Sequence, residues 1–238
     1  MSTIEVEIWS DYVCPFCYIG KRQLEQAIAA TGLTGKVDVK LKAYELDPTT
    51  PKDSMEPVHT VLARKYGTTP EKAKEMSQGV AARAAEVGLQ YDVDGMLNQN
   101  TLDAHRLVKY AETVHKDGEF AERLMKAYFT EGQAIGQHDV LVKLALEVGL
   151  NLDDVRAVLA DTKMFSTDIE QDKAIAQQLQ VRGVPFFVIN KKYGIAGAQP
   201  QEVFNDTLRE VAKEEGITPG LIQKGGNADV CGDDGCSI

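Results

Sequence analysis

The chain has 238 residues, with 26 Lys and Arg against 36 Asp and Glu, and a formal charge of −10. That acidic balance argues against a nucleic-acid-binding surface, which needs clustered cations to replace counterions. A composition of 43% hydrophobic and 26% charged residues is that of an ordinary globular protein, and no apolar stretch approaches the roughly 20 residues of a membrane span.

At roughly 150 residues per domain, the length fits one large domain, or two with one inserted in the other. The four cysteines fall into two close pairs, Cys14 with Cys17 and Cys231 with Cys236. They are too few for a disulfide-dense secreted scaffold. The N-terminus lacks the basic, apolar and small-residue regions of a signal peptide, so a cytoplasmic location is expected. There a close cysteine pair is more often catalytic or metal-binding than structural.

In chain order, Ile4-Glu5-Val6-Glu7-Ile8 alternates apolar and acidic, the period of a half-buried strand. Pro15 suits the first turn of a helix, where its missing N–H has no intrahelical partner. Cys17, Gly20, Leu24, Ala27 and Ile28 then recur at helical spacing, and Thr31-Gly32 reads as the stop. Val37, Val39, Leu41 and Ala43 alternate with polar residues as a second strand. The chain therefore opens as β-(CPFC)-α-β.

Residues 47–53 are a loop by their turn chemistry. From Glu56 to Leu159 nearly everything reads as helix, broken at Gly67 to Pro70, Gly88, Asp117-Gly118 and Gly149. Thr69-Pro70-Glu71 and Asn151 to Asp154 are helix starts by their capping and first-turn acids. A helix from Ser166 to Gln180 precedes a short apolar strand, Val184 to Asn190. Lys191-Lys192 turns that strand into Tyr193 to Gly197, and a last helix runs from Gln201 to Glu215. Two early and two late strands must pair to bury their apolar faces, so the helical block is an insertion into one α/β domain. The expected division is residues 1–50 and 163–222 for the α/β domain, 51–162 for the helical insertion and 223–238 for a flexible Gly- and Asp-rich tail.

A C-x-x-C pair at a helix start places its sulfurs one turn apart on one face, close enough to bridge. Unsatisfied N–H groups and the helix dipole favour negative charge at Cys14, and the thiolate is the species that attacks a disulfide. Cys17, on the apolar face, would be shielded and would resolve the mixed disulfide. The competing zinc site, with Cys231 and Cys236 as further ligands, is disfavoured by the proline within the pair and the helix directly after it. No metal and no cofactor is expected.

Asp11-Tyr12-Val13-Cys14-Pro15-Phe16-Cys17-Tyr18-Ile19-Gly20 closely resembles the active-site segment of the DsbA-like thioredoxin-fold family, in its FrnE-like branch. Three further stretches agree: Asn100 to Leu107, Tyr128 to Gly132, and Gly183 to Val188 continuing through Gly197 to Pro200. The resemblance runs from Ile4 to Val211. It implies an α/β thioredoxin-like fold with a large all-helical insertion domain. It also implies a cis Val184–Pro185 bond facing the cysteines, with the Val184 backbone free to pair with an extended substrate chain. Pro15, Phe16, Val184 and Pro185 would then form the substrate-binding surface. Phe16 cannot donate the hydrogen bond that a histidine gives in relatives, which implies a milder oxidant able to isomerise disulfides.

In the tail, Gly232 and Gly235 let the Cys231 to Cys236 loop close, while Asp229, Asp233 and Asp234 repel a thiolate. A linker of some 15 residues typically spans roughly 20 Å. The pair is expected to be a second redox centre exchanging electrons with Cys14 and Cys17. His59, His105, His115 and His138 show no ligand spacing, and His105 reads as a helical surface or packing residue. Asp11 reads equally as a proton relay or a turn cap. Most of Met55, Met76, Met96, Met125 and Met164 are expected in the core. The sum is a cytoplasmic thiol–disulfide oxidoreductase or isomerase acting on protein or peptide thiols. Glutathione or a thioredoxin-type donor is its expected electron partner, with no nucleic acid or membrane involved. The alternatives are a glutathione-dependent isomerase or transferase of the same fold, and a holdase-like peptide binder.

Overall fold

A computed structural model describes residues 3–220, together with the backbone of 231–232 and 235–236. Strand β1 (Ile4–Ser10) leads through helix α1 (Pro15–Ala30) to β2 (Val37–Ala43), which lies parallel to β1. Seven helices follow: α2 (Val58–Tyr66), α3 (Pro70–Glu86), α4 (Leu102–Thr113), α5 (Asp117–Phe129), α6 (His138–Glu147), α7 (Leu152–Ala160) and α8 (Ser166–Gln178). The chain then returns to the sheet with β3 (Phe186–Ile189) and β4 (Tyr193–Ala196), before α9 (Gln201–Glu214). The sheet order is β2-β1-β3-β4, with β3 antiparallel to both neighbours.

The alternation in β1 decides which face each side chain covers. Ile4, Val6 and Ile8 bury against Leu24 and Ala27 of α1 and Phe204 and Leu208 of α9. Trp9 points the other way, into a smaller cluster with Ala176 of α8 and Val188 of β3. Its indole N–H donates to the Asp172 carbonyl at 2.9 Å, and the Asp172 carboxylate takes the Ala43 N–H at 2.9 Å and Lys109 Nζ at 2.7 Å. This carboxylate pins α8 to the end of β2. The three-residue β3–β4 connection, Asn190 to Lys192, carries positive φ at Asn190 and Lys191, and the Lys192 N–H closes the turn on the Ile189 carbonyl at 3.0 Å.

A second core fills the helical block, and it includes Tyr12, Cys14, Cys17, Tyr18 and Ile19 from the front of α1. The cysteine pair therefore sits where the sheet-side helix meets the inserted helices. Thr69 caps α3, accepting the Lys72 N–H at 3.3 Å, and Asn151 caps α7, accepting from Asp153 and Asp154. Gly67 ends α2 in the left-handed region, at φ 62°.

Several expectations need correction. Residues 90–101 are not helical: Tyr91, Asn98, Gln99 and Asn100 instead use side chain and backbone to tie loops together. Asp117-Gly118 is not a break, because α5 starts there and the turn lies just before it. Met96 and Met125 are buried, but Met55, Met76 and Met164 are exposed. Met76 lies beside the stripe of Ala73, Ser77, Val80 and Ala84 that α3 turns inward, so its apolar character does not draw it into the core. The expected tail, residues 223–238, lies outside the described residues except for two short strands. These are β5 (Cys231–Gly232) and β6 (Gly235–Cys236), paired antiparallel with Cys231 opposite Cys236.

Candidate active site

Cys14 is the N-cap of α1, with extended backbone at φ −88° and ψ 112°, and Pro15 takes the first helical position. No side chain caps this helix, so the sulfur-bearing residue itself stands at the N-terminus where orphan N–H groups collect. The Cys14 N–H donates to the Asp11 carbonyl at 3.1 Å and the Cys17 N–H to the Cys14 carbonyl at 3.0 Å, which fixes the turn holding both cysteines. Both are free thiols, 4% and 1% exposed respectively. Burial pushes the Cys17 thiol well above its ordinary range, the adjoining Cys14 sulfur adds to this, and the Asp11 backbone N–H offsets it in part.

The Val184–Pro185 bond is cis. The Cys14 thiol donates to the Val184 carbonyl at 3.5 Å, so the residue before the proline directly adjoins the first cysteine. The Pro185 carbonyl accepts the Gly197 N–H at 2.8 Å, which anchors this loop to the stretch that follows β4. Gly20 makes room for it: a Cβ there would stand 3.0 Å from both the Pro185 and Phe187 rings. Phe16 is half-buried, and the Arg83 guanidinium of α3 lies over its ring, 5.0 Å from the centroid.

Behind the cysteines, Tyr18, Tyr91 and Phe129 form an aromatic stack, with Tyr91 and Phe129 centroids 4.6 Å apart. Burial holds the Tyr91 phenol protonated, and it donates to the Pro15 carbonyl at 2.8 Å. The Tyr18 hydroxyl donates to Glu122 at 2.7 Å, and Glu122 also receives Lys21 and Arg22. Residues of the inserted block, on α5 and in the loop at Tyr91, thus hold the first two turns of α1 in place.

The stretch Asn100 to Leu107 ties the inserted segments to one another and, through His105, to the loop just before α1. Asn100 donates to the Thr50 carbonyl at 2.8 Å. Arg106 is fully buried, and its guanidinium donates to Asp103 at 2.8 Å and to the carbonyls of Met164, Val158 and Asp161. Burial works against the Asp103 charge, but hydrogen bonds from Lys52, His138 and Arg106 outweigh it and hold its carboxyl at about 2. Of the two roles expected for His105, surface or packing, the structure has the packing one: it is 2% exposed, packs on the Tyr12 ring and puts Nε2 3.4 Å from the Asp11 carboxylate. Asp11 is itself buried, and its other oxygen accepts the Leu46 N–H at 2.8 Å. Asp103 and Arg106 carry no assigned role in the sequence beyond lying in the resembling stretch Asn100 to Leu107. The available signal was a dense polar run inside a helix otherwise patterned for the core.

The structure brings together Cys14, Pro15, Phe16, Cys17, Val184 and Pro185. Of the second pair only the backbone is described, and its placement relative to these residues lies outside the described residues. Among the described residues no group of three or more His, Cys, Asp and Glu is arranged to hold a metal, and no helix is long and apolar enough to cross a membrane.

A thioredoxin-type sheet and a C-x-x-C helix N-terminus facing a cis proline define a class of thiol–disulfide proteins. The family model described as the DSBA-like thioredoxin domain matches residues 5–209, and the chain belongs to this family. It is similar to a probable DsbA oxidoreductase from Streptomyces coelicolor, with 37% identity, a TM-score of 0.83 and coverage of 99% of each chain. It is 28% identical over 216 residues to the uncharacterized protein YwbO of Bacillus subtilis (strain 168), covering 90% of this chain and all of that protein. The cytosolic disulfide reductase DsbM from Pseudomonas aeruginosa, solved with GSH, shares the fold at 17% identity and a TM-score of 0.58, over 88% of this chain and 99% of that one.

Proposed function

We propose that this chain is a cytoplasmic oxidoreductase and isomerase for protein or peptide disulfides, with Cys14 as nucleophile and Cys17 as resolver. The observation that carries this reading is Cys14 at the uncapped start of α1, against the Val184 carbonyl, with Cys17 buried one turn inside. The Cys14 thiolate attacks one sulfur of a substrate disulfide. That S–S bond breaks, the other sulfur leaves as a thiolate, and a mixed disulfide forms at Cys14. Cys17 then loses its proton and attacks Cys14 Sγ. The pair becomes a disulfide, the substrate ends as two thiols, and two electrons have moved to it. If a substrate thiol attacks the mixed disulfide first, the bond is reshuffled with no net transfer, which is isomerisation.

Pro15, Phe16, Val184 and Pro185 shape the docking surface, with the Val184 backbone offering strand-like pairing beside the sulfur. The sheet elements, residues 1–50 and 163–222, act as the redox domain, and 51–162 is an insertion that positions α1. The tail pair serves as a second redox centre. Opposite residues of an antiparallel pair have Cα atoms about 4.5–5.5 Å apart, within the span of a disulfide, and Cys231 and Cys236 hold such positions. Glutathione, named with DsbM, is the first donor to test.

The test is insulin-disulfide reduction with glutathione as donor, comparing wild type, Cys14→Ser and the Cys231→Ser/Cys236→Ser double variant. Cys14→Ser should lose at least 100-fold in rate, as befits removal of a nucleophile (an order-of-magnitude figure). Activity of Cys14→Ser equal to wild type would mean a peptide-binding protein with incidental thiols. The tail variant should slow steady-state turnover, and unchanged exchange with the first pair would remove the second-centre proposal.

A further inference from the structure

We propose that Arg83 is a specificity residue that selects disulfides carrying a carboxylate close to the reacting sulfur. This rests on the oxidoreductase reading and adds the substrate class. Arg83 projects from α3 onto Phe16, the residue between the two cysteines, with its guanidinium carbon 5.0 Å from the ring centroid. The side chain is exposed, and among the described residues no carboxylate stands within ion-pair distance of it. The other cations near the front of α1 are engaged: Lys21 and Arg22 both bind Glu122 and Glu25. Glu86, one turn along α3, makes no ion pair with Arg83.

The helix carrying Arg83 is itself fixed against α1. Gln26 donates to the Val87 carbonyl at 3.3 Å, and Val80 and Val87 pack on the core that holds Cys14 and Cys17. The ring of Phe16 orients the guanidinium by a cation–π contact and leaves its N–H edge to solvent. A planar fork of donors matches a carboxylate in two parallel hydrogen bonds, which a lysine could not reproduce. The rest of the chain favours the opposite sign, since its formal charge is −10 and would repel an anionic substrate. An unpaired cation on the active-site dipeptide reverses that repulsion where the sulfur reacts. A disulfide of the glutathione type, or a peptide with an acidic residue beside its half-cystine, would place its carboxylate there as its sulfur reaches Cys14.

The test follows single-turnover oxidation of the reduced protein by three symmetrical disulfides: anionic glutathione disulfide, neutral hydroxyethyl disulfide and cationic cystamine. Each consumes the two thiols of the Cys14–Cys17 pair and releases two small thiols, so the reaction balances without another reagent. In Arg83→Glu the rate ratio of glutathione disulfide to hydroxyethyl disulfide should fall about tenfold, and the ratio for cystamine should rise. Arg83→Lys should fall between the two proteins. Raising the salt to 0.5 M, where screening acts within about 4 Å, should compress the differences. Ratios within twofold of wild type would overturn the inference, and so would an equal fall for all three disulfides, because Arg83 would then only support Phe16. Failure of wild type to react with any of the three would contradict the oxidoreductase reading itself.

Discussion

At the residue scale, chemistry and support are carried by different side chains, and they differ in how visible they were. Cys14 and Cys17 were legible because their spacing, the intervening proline and the strand before them all point to one chemistry. Asp103 and Arg106 were not, since a polar pair three residues apart on a helix usually reads as a solvated face. Only the packing of α7 and the turn before α8 over Arg106 makes that pair a buried one. Its weight can be bounded. A carboxyl near 3.9 unfolded and about 2 folded contributes roughly 2 kcal/mol. The contribution is complete above about pH 4 and is lost as pH falls through about 2, because the folded carboxyl must then take up a proton it otherwise resists. Asp103→Asn should therefore lower unfolding free energy by about 2–3 kcal/mol at neutral pH, leaving Arg106 without its charged partner. Its disadvantage relative to wild type should shrink in acid. Urea titrations at several pH values, read by the fluorescence of buried Trp9, would check this. A constant difference down to pH 2 would contradict it.

At the scale of elements, α1 is the piece on which everything else bears. The sheet-facing side, Leu24 and Ala27, was clear from its spacing. The other side was not, because the aromatic stack of Tyr18, Tyr91 and Phe129 is assembled from three segments distant in sequence. Periodicity reports which side of a helix is buried and is silent about its partner. The sequence at 90–101 reads as helix for a related reason: in the structure, buried side-chain amides there replace the backbone bonds that a helix makes. Gly20 shows the same limit at one position. In an exposed helix, Ala would gain about 1 kcal/mol over Gly. Here the added methyl meets two rings at 3.0 Å, and overpacking costs about 1–3 kcal/mol. Gly20→Ala should lower the thermal midpoint. It should also slow disulfide exchange, because Pro185 is one of the rings displaced. A raised midpoint with unaltered exchange would contradict this close packing.

At the scale of the whole molecule, the order of elements was readable from sequence because strand and helix periods differ, and because two early and two late strands cannot stand apart. The function of the insertion was less readable. Its residues reach the cysteine helix by three routes: the Tyr91 hydroxyl on Pro15, Glu122 on Tyr18, and Arg83 on Phe16. The inserted block thereby holds the start of α1 and adds a charge beside it, while the loop before β3 supplies Val184 and Pro185. The central claim is that attack occurs at Cys14 and resolution at Cys17. The most direct measurement is intact-mass analysis of reduced Cys17→Ser and Cys14→Ser after brief exposure to hydroxyethyl disulfide. Cys17→Ser should accumulate one mixed disulfide, mapped to Cys14, while Cys14→Ser should form none at Cys17 on that timescale. A mixed disulfide formed equally fast at Cys17, or none at Cys14, would contradict the account.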